Sequence, residues 1–169
     1  MLGKFDKLID SGGFLDLFDY PFKRADPQLL ESDFVNIASI LQHTSETGRD
    51  VTSLRFGHSP IIGPCIEHLA NALQSPNCTL VKLQFIHNEI GSDGIIKITE
   101  CLKLNETLTS LEIIDDDIAV CGSRAVAEML SCNQTLSSLV LQHCGITSGS
   151  AIDCITDALG GNSTLRLLE

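Results

Sequence analysis

The chain has 169 residues, 43% of them hydrophobic, with a formal net charge of −11 and a sequence pI near 4.7. That length and apolar share suffice for one domain with a sizeable core, while a field of that sign repels phosphate backbones and anionic lipid and so argues against nucleic acid and membranes as partners. Cys65, Cys78, Cys101, Cys121, Cys132, Cys144 and Cys154 are odd in number and lack the close pairing of a zinc site or a disulfide framework; they read as free thiols of a reducing compartment, a cytosol or a host cytosol.

Residues 1–50 are expected to form a Phe-rich arm and a helical cap, since they hold Phe5, Phe14, Phe18, Phe22 and Phe34 and lack the strand phrase of the rest of the chain. Asp10-Ser11-Gly12-Gly13 marks a break, and the arm is expected to fold back over the first repeat and hide apolar area. Asp26-Pro27 followed by Leu29, Leu30, Phe34, Ile37, Ala38, Ile40 and Leu41 predicts an amphipathic helix with a cap and an N1 proline, ending near His43. It resembles the helical half of a repeat whose strand is missing.

From Val51 onward one phrase, Leu-x-x-Leu-x-Leu, returns every 28 or 29 residues: Val51, Leu54, Phe56; Leu80, Leu83, Phe85; Leu108, Leu111, Ile113; Leu136, Leu139, Leu141; and again from Leu165 and Leu168. A fixed period of that length announces a solenoid, with repeats at 51–79, 80–107, 108–135 and 136–164 and a partial one at 165–169. Each repeat pairs an alternating strand with a helical half, whose columns are Ile66, Ile95, Ser123, Ile152; Leu69, Ile98, Val126, Ile155; and Leu73, Leu102, Leu130, Leu159. Cys101 falls in a further small-residue column and reads as core. Polar side chains in Gly91-Ser92-Asp93-Gly94 and Thr147-Ser148-Gly149-Ser150 are expected to cap helices. Asn77-Cys78-Thr79, Asn105-Glu106-Thr107, Asn133-Gln134-Thr135 and Asn162-Ser163-Thr164 match a glycosylation sequon, yet their fixed place in the repeat marks them as structural returns.

These residues resemble the leucine-rich repeat family, in its ribonuclease-inhibitor-like class of long, helix-containing repeats. Asn88 and Cys144, each followed two residues on by Ile90 or Ile146, match that family's turn position; Ser59 and Asp116 depart from it, so their turns are expected to be looser. The resemblance implies an α/β fold: a right-handed leucine-rich repeat solenoid, with a parallel β-sheet on the concave face, helices on the convex face, and a role in binding proteins.

Outward strand positions then stack as ladders: Ser53, Lys82, Ser110, Ser138; Arg55, Gln84, Glu112, Val140; and Gly57, Ile86, Ile114, Gln142. Ile86, Ile114 and Val140 make the middle of the concave face apolar, as a protein contact requires. The next ladder is His58, His87, Asp115 and His143. Stacked at strand spacing, these side chains are near the limit for converging on one ion, so they read as hydrogen-bonding rim residues, sensitive to pH, with no metal or other cofactor expected. Asp115-Asp116-Asp117 after Glu112 is an acidic run, solvated or a landing site for a basic patch on a partner.

No phosphate-cradling glycine loop or serine elbow is present, and the repeat register argues no Cys/His pair into proximity, so a non-enzymatic interaction module is expected. Two alternatives stand beside it. One is a regulator of a small GTPase, acting through Arg49 or, on the convex side, Arg124; the other is a self-assembling fragment of a larger receptor or effector, joined through an open edge at Leu165 and Leu168.

Overall fold

A computed structural model describes residues 5, 8–18, 29–42, 50–61 and 63–169. Its elements alternate strictly: β1 (Phe14–Leu17), α1 (Glu31–Gln42), β2 (Ser53–Gly57), α2 (Pro64–Leu73), β3 (Lys82–Ile86), α3 (Gly91–Leu102), β4 (Ser110–Ile114), α4 (Ala119–Cys132), β5 (Ser138–Gln142), α5 (Gly149–Gly161) and β6 (Leu167–Leu168). The six strands lie in one sheet in chain order, every neighbouring pair parallel. This is the arrangement of a leucine-rich-repeat-like solenoid.

Two periodicities in each repeat build the core. Alternate strand residues, Leu54, Phe56, Leu83, Phe85, Leu111, Ile113 and Leu139, are buried, as are the helix columns Ile66, Ile95; Leu69, Ile98, Val126; and Leu73, Leu102, Leu130. Phe34 of α1 stacks on Phe56, and Phe56 on Phe85, with centroids 5.4 and 5.7 Å apart. Each buried ring contributes about 1.5–3 kcal/mol through its area, and each stacked pair about 0.5–1.5 kcal/mol more.

Polar ladders close the repeats at both ends of the strands. On the return side, Asn133 donates from Nδ2 to the Leu102 and Asn105 carbonyls and accepts at Oδ1 from the Thr135 and Leu136 N–H groups. Asn162 repeats this one unit on, and Asn105 makes the corresponding bonds with Leu73, Thr107 and Leu108. These amides join neighbouring repeats, which is why the sequon-like tripeptide recurs. Asn77 is exposed and stands outside the ladder.

At the opposite ends of the strands, Ser59, Asn88, Asp116 and Cys144 all turn inward and are buried. Ser59 Oγ accepts from the Leu29 N–H, Asn88 Nδ2 donates to the Ser59 carbonyl, and Cys144 Sγ donates to the Ile113 carbonyl. The Asp116 carboxylate accepts from the N–H groups of Asn88 and Ile90, 3.0 Å from each. The looser turns expected at Ser59 and Asp116 are therefore corrected: both side chains bond turn backbone as their asparagine and cysteine counterparts do. Asp116 is also no member of a solvated acidic run, being 1% exposed.

Three other expectations change. Residues 1–50 do contain a strand: β1 pairs with β2 from Phe14↔Ser53 to Leu17↔Phe56. Its offset along the chain is 39 residues, against 28 between β3 and β4, and Gly12 stands where the phrase carries its first apolar residue. Helix α1 begins at Glu31, where Asp33 accepts a bond from the Leu30 N–H; Asp26, Pro27 and His43 lie outside the described residues. Helix α3 has no side-chain cap, and Ser92 donates instead to the Ile118 carbonyl of the next repeat. Ser148 does cap α5, accepting from the Ala151 N–H.

Candidate functional site

The face of the sheet turned away from the buried strand residues carries the ladders read from the sequence, and the strand register places them side by side. Arg55 pairs with Gln84, Gln84 with Glu112 and Glu112 with Val140; Gly57 pairs with Ile86, Ile86 with Ile114 and Ile114 with Gln142. Strand β1 extends this face by residues the sequence reading did not include, with Asp16 opposite Arg55 and Phe18 following on beside Gly57.

Arg55 is held from three sides. Its Nε donates to Asp16 Oδ1 at 3.0 Å, a second guanidinium nitrogen bonds Asp16 Oδ2, and its Cζ lies 5.5 Å from the Phe14 ring centroid and 5.0 Å from that of Phe18. Such a bidentate pair between aromatic rings is the geometry that favours arginine over lysine. Burial alone would raise the Asp16 carboxyl, but the Arg55 hydrogen bond, the Phe18 N–H and the Arg55 charge together hold it below the usual carboxylate range. The Phe18 ring occupies the space a side chain at position 57 would need, so this packing requires Gly57.

Further along, Lys82 Nζ contacts Glu112 Oε1 and Gln84 Nε2 contacts Glu112 Oε2, both at 2.5 Å. Both carboxylate oxygens of Glu112 are thus engaged within the face. Ile86 and Ile114 lie next to each other, half-buried. Val140, expected as an exposed apolar residue, is only 9% exposed, which corrects its part in the surface. The contiguous apolar stripe is Phe18, Ile86 and Ile114, with Gln142 exposed at its far end.

His58, His87, Asp115 and His143 line the rim where the strands end, all exposed and all with left-handed φ, at 51°, 57°, 56° and 55°. The N–H groups of His58, His87 and Asp115 donate to Ile86, Ile114 and Gln142 carbonyls of the next strand, so each residue ends its strand before the chain turns inward. His58 meets the Phe18 ring edge-on at 4.8 Å and lies 5.5 Å from His87; His143 Nδ1 is 2.9 Å from Asp115 Oδ1. Among the described residues no three His, Cys, Asp or Glu side chains converge as a metal site.

The remaining polar candidates lie elsewhere. Arg124 is exposed on α4, and Arg49 lies outside the described residues. Asp117 accepts a bond from the Ala119 N–H at the start of α4. Cys144 is a buried structural thiol, pushed up to about 11 by burial, and burial also raises Cys78 and Cys101. Cys121 and Cys132 are exposed. At the last repeat, Leu167 and Leu168 stand 49% and 43% exposed.

No family model matches the sequence, and no curated protein matches it. Among solved structures, the chain is similar to one described as the leiomodin-1 actin-binding site 2, with a TM-score of 0.62 and 21% identity over 80% of this chain and 75% of that one. At that identity the likeness is one of fold. Among the described residues no helix is long and apolar enough to cross a membrane.

Proposed function

We propose that this chain is a non-enzymatic protein-binding module of the ribonuclease-inhibitor-like class, a right-handed solenoid that acts in the cytoplasm and takes its partner on the concave, helix-free face. Ile86 and Ile114 carry this reading: they lie side by side and half-buried between a rim of exposed polar side chains and a row of paired charges. That is the pattern of an apolar contact centre with a polar border. The solved structure of similar fold is named for binding actin, which makes actin the first defined partner to try.

The test is affinity capture from a cell lysate, with actin co-sedimentation beside it, using the wild type and an Ile86→Asp/Ile114→Asp variant shown to be folded by circular dichroism. Retention of a protein by the wild type alone is the expected outcome. Equal retention by both chains would remove the concave face as the site, and a variant that unfolds would place these side chains in the core.

A second reading has its own observation. Ile152 is 50% exposed, whereas Ile66 and Ile95 of the same column are 1% and 0% exposed. Self-association through this edge would cover it, and light scattering of the wild type against Leu168→Asp decides the matter. Regulation of a small GTPase finds no comparable support in the placement of Arg124.

A further inference from the structure

We infer that the concave face selects an uncharged, aliphatic or aromatic segment of its partner, seated on Phe18, Ile86 and Ile114; this rests on the concave face being the binding site. The sequence alone suggests a basic partner, because the chain carries −11 and Glu112 and Asp115 fall on this face. The geometry points elsewhere. Glu112 is already bonded by Lys82 and Gln84, Asp16 by Arg55, and Asp115 by His143. Lys82 with Glu112 and Arg55 with Asp16 thus cancel within the face, while Asp115 is held by a hydrogen bond to the His143 ring. A basic segment would have to break these pairs or leave its own charge against an apolar stripe, and either step disfavours it.

The apolar seat is continuous because of one substitution pattern. In β2 the stripe position is Gly57, and the Phe18 ring of the neighbouring strand covers that gap. Phe18, Ile86 and Ile114 thereby span four strands, β1 to β4, or about 14 Å at the spacing of hydrogen-bonded strands. That length matches about ten residues of an α-helix laid across the strands. Along one side, the exposed His87 imidazole offers nitrogens that donate or accept, which suits the neutral polar groups flanking an apolar segment. A Gln142 amide closes the far end.

The experiment pans a phage-displayed random peptide library on the immobilised full chain and then measures synthetic copies of the enriched peptides. The expected peptides are rich in Leu, Ile, Val and Phe and carry little net charge. Their affinity should fall about tenfold or more on Ile86→Asp or Ile114→Asp, and on Phe18→Ser, the milder variant should an Asp variant fail to fold. It should change less than about twofold between ~0.05 and ~0.5 M salt. Leu104→Asp, at a position 89% exposed at the end of α3, should leave binding intact. Basic peptides that are lost in salt or on Glu112→Gln would overturn the chemistry proposed while keeping the concave face as the site. Peptides indifferent to Ile86→Asp, Ile114→Asp and Phe18→Ser would remove the concave reading itself. A library without enrichment would overturn the proposal as well.

Discussion

His58, His87, Asp115 and His143 occupy left-handed backbone positions where glycine is the cheaper residue. The chain keeps side chains there, and each is exposed, so the backbone strain is not offset by burial. His87→Gly should therefore leave the fold as stable as the wild type or more so, by up to about 1 kcal/mol. His87→Val, a branched residue in the same conformation, should be less stable than His87→Gly by about 1–2 kcal/mol. Urea unfolding measures both, and a clear loss of stability in the glycine variant would mean that the ring contributes more to the fold than its exposure indicates. Two carboxylates on the same molecule give opposite pH signs. Burial holds Asp116 above its ordinary value of 3.8, against the N–H groups of Asn88, Ile90 and Glu89. The folded chain thus binds that proton more readily than the unfolded one, and the stability it confers is full below 3.8 and lost as pH rises through the raised value. Asp16 is held below 3.8, so its contribution is present above that value and lost as pH falls through the lowered one. Stability against pH, measured for Asp116→Asn and Asp16→Asn, should shift in opposite directions.

At the level of elements, β1 rests on an aromatic and ionic contact that one methyl group can disturb. A Cβ at position 57 would stand within the space of the Phe18 ring, and Phe18 in turn packs on His58 and Arg55. Gly57→Ala should push the ring aside and speed amide exchange in β1 while leaving β3 to β5 as protected as before, which hydrogen exchange with mass spectrometry reads directly. Unchanged exchange in β1 would show that the Asp16–Arg55 pair and the strand ladder hold it alone. This element is also where the sequence was least legible. Strands β2 to β5 were readable because Leu-x-x-Leu-x-Leu repeats in register, and their outward ladders follow from alternation alone. In β1 only Leu15 and Leu17 of that phrase survive, and a longer connection to β2 hides the period. Pairing within the face was not legible either. That Glu112 is shared by Lys82 and Gln84, and that Val140 is covered, depend on side-chain directions that a one-dimensional pattern does not carry.

Across the whole molecule the same columns recur from repeat to repeat, so stability is close to a sum of each unit and its contacts with its neighbours. The two ends of the sheet differ. At the first strand, Ile9 forms an antiparallel bridge to Leu15, and the Asp10 N–H donates to the Phe14 carbonyl, so part of the outer edge of β1 is occupied. At the other end, Leu159 and Leu165 are only partly buried, although Leu73, Leu102 and Leu130, and Leu80, Leu108 and Leu136, are buried in the same columns. The last helix and strand therefore gain apolar burial from one neighbour, where α3 and β4 gain it from two. Opening α5 and β6 should cost less free energy than opening the middle of the sheet, and amide protection should rise from β6 back to β3 and β4. Native-state hydrogen exchange across a range of chain concentrations tests this. A gradient independent of concentration is expected where no second copy covers α5 and β6. Protection of α5 and β6 that grows with concentration would mean that a second copy covers their apolar columns, and would favour the edge of the sheet over the concave face proposed as the binding site.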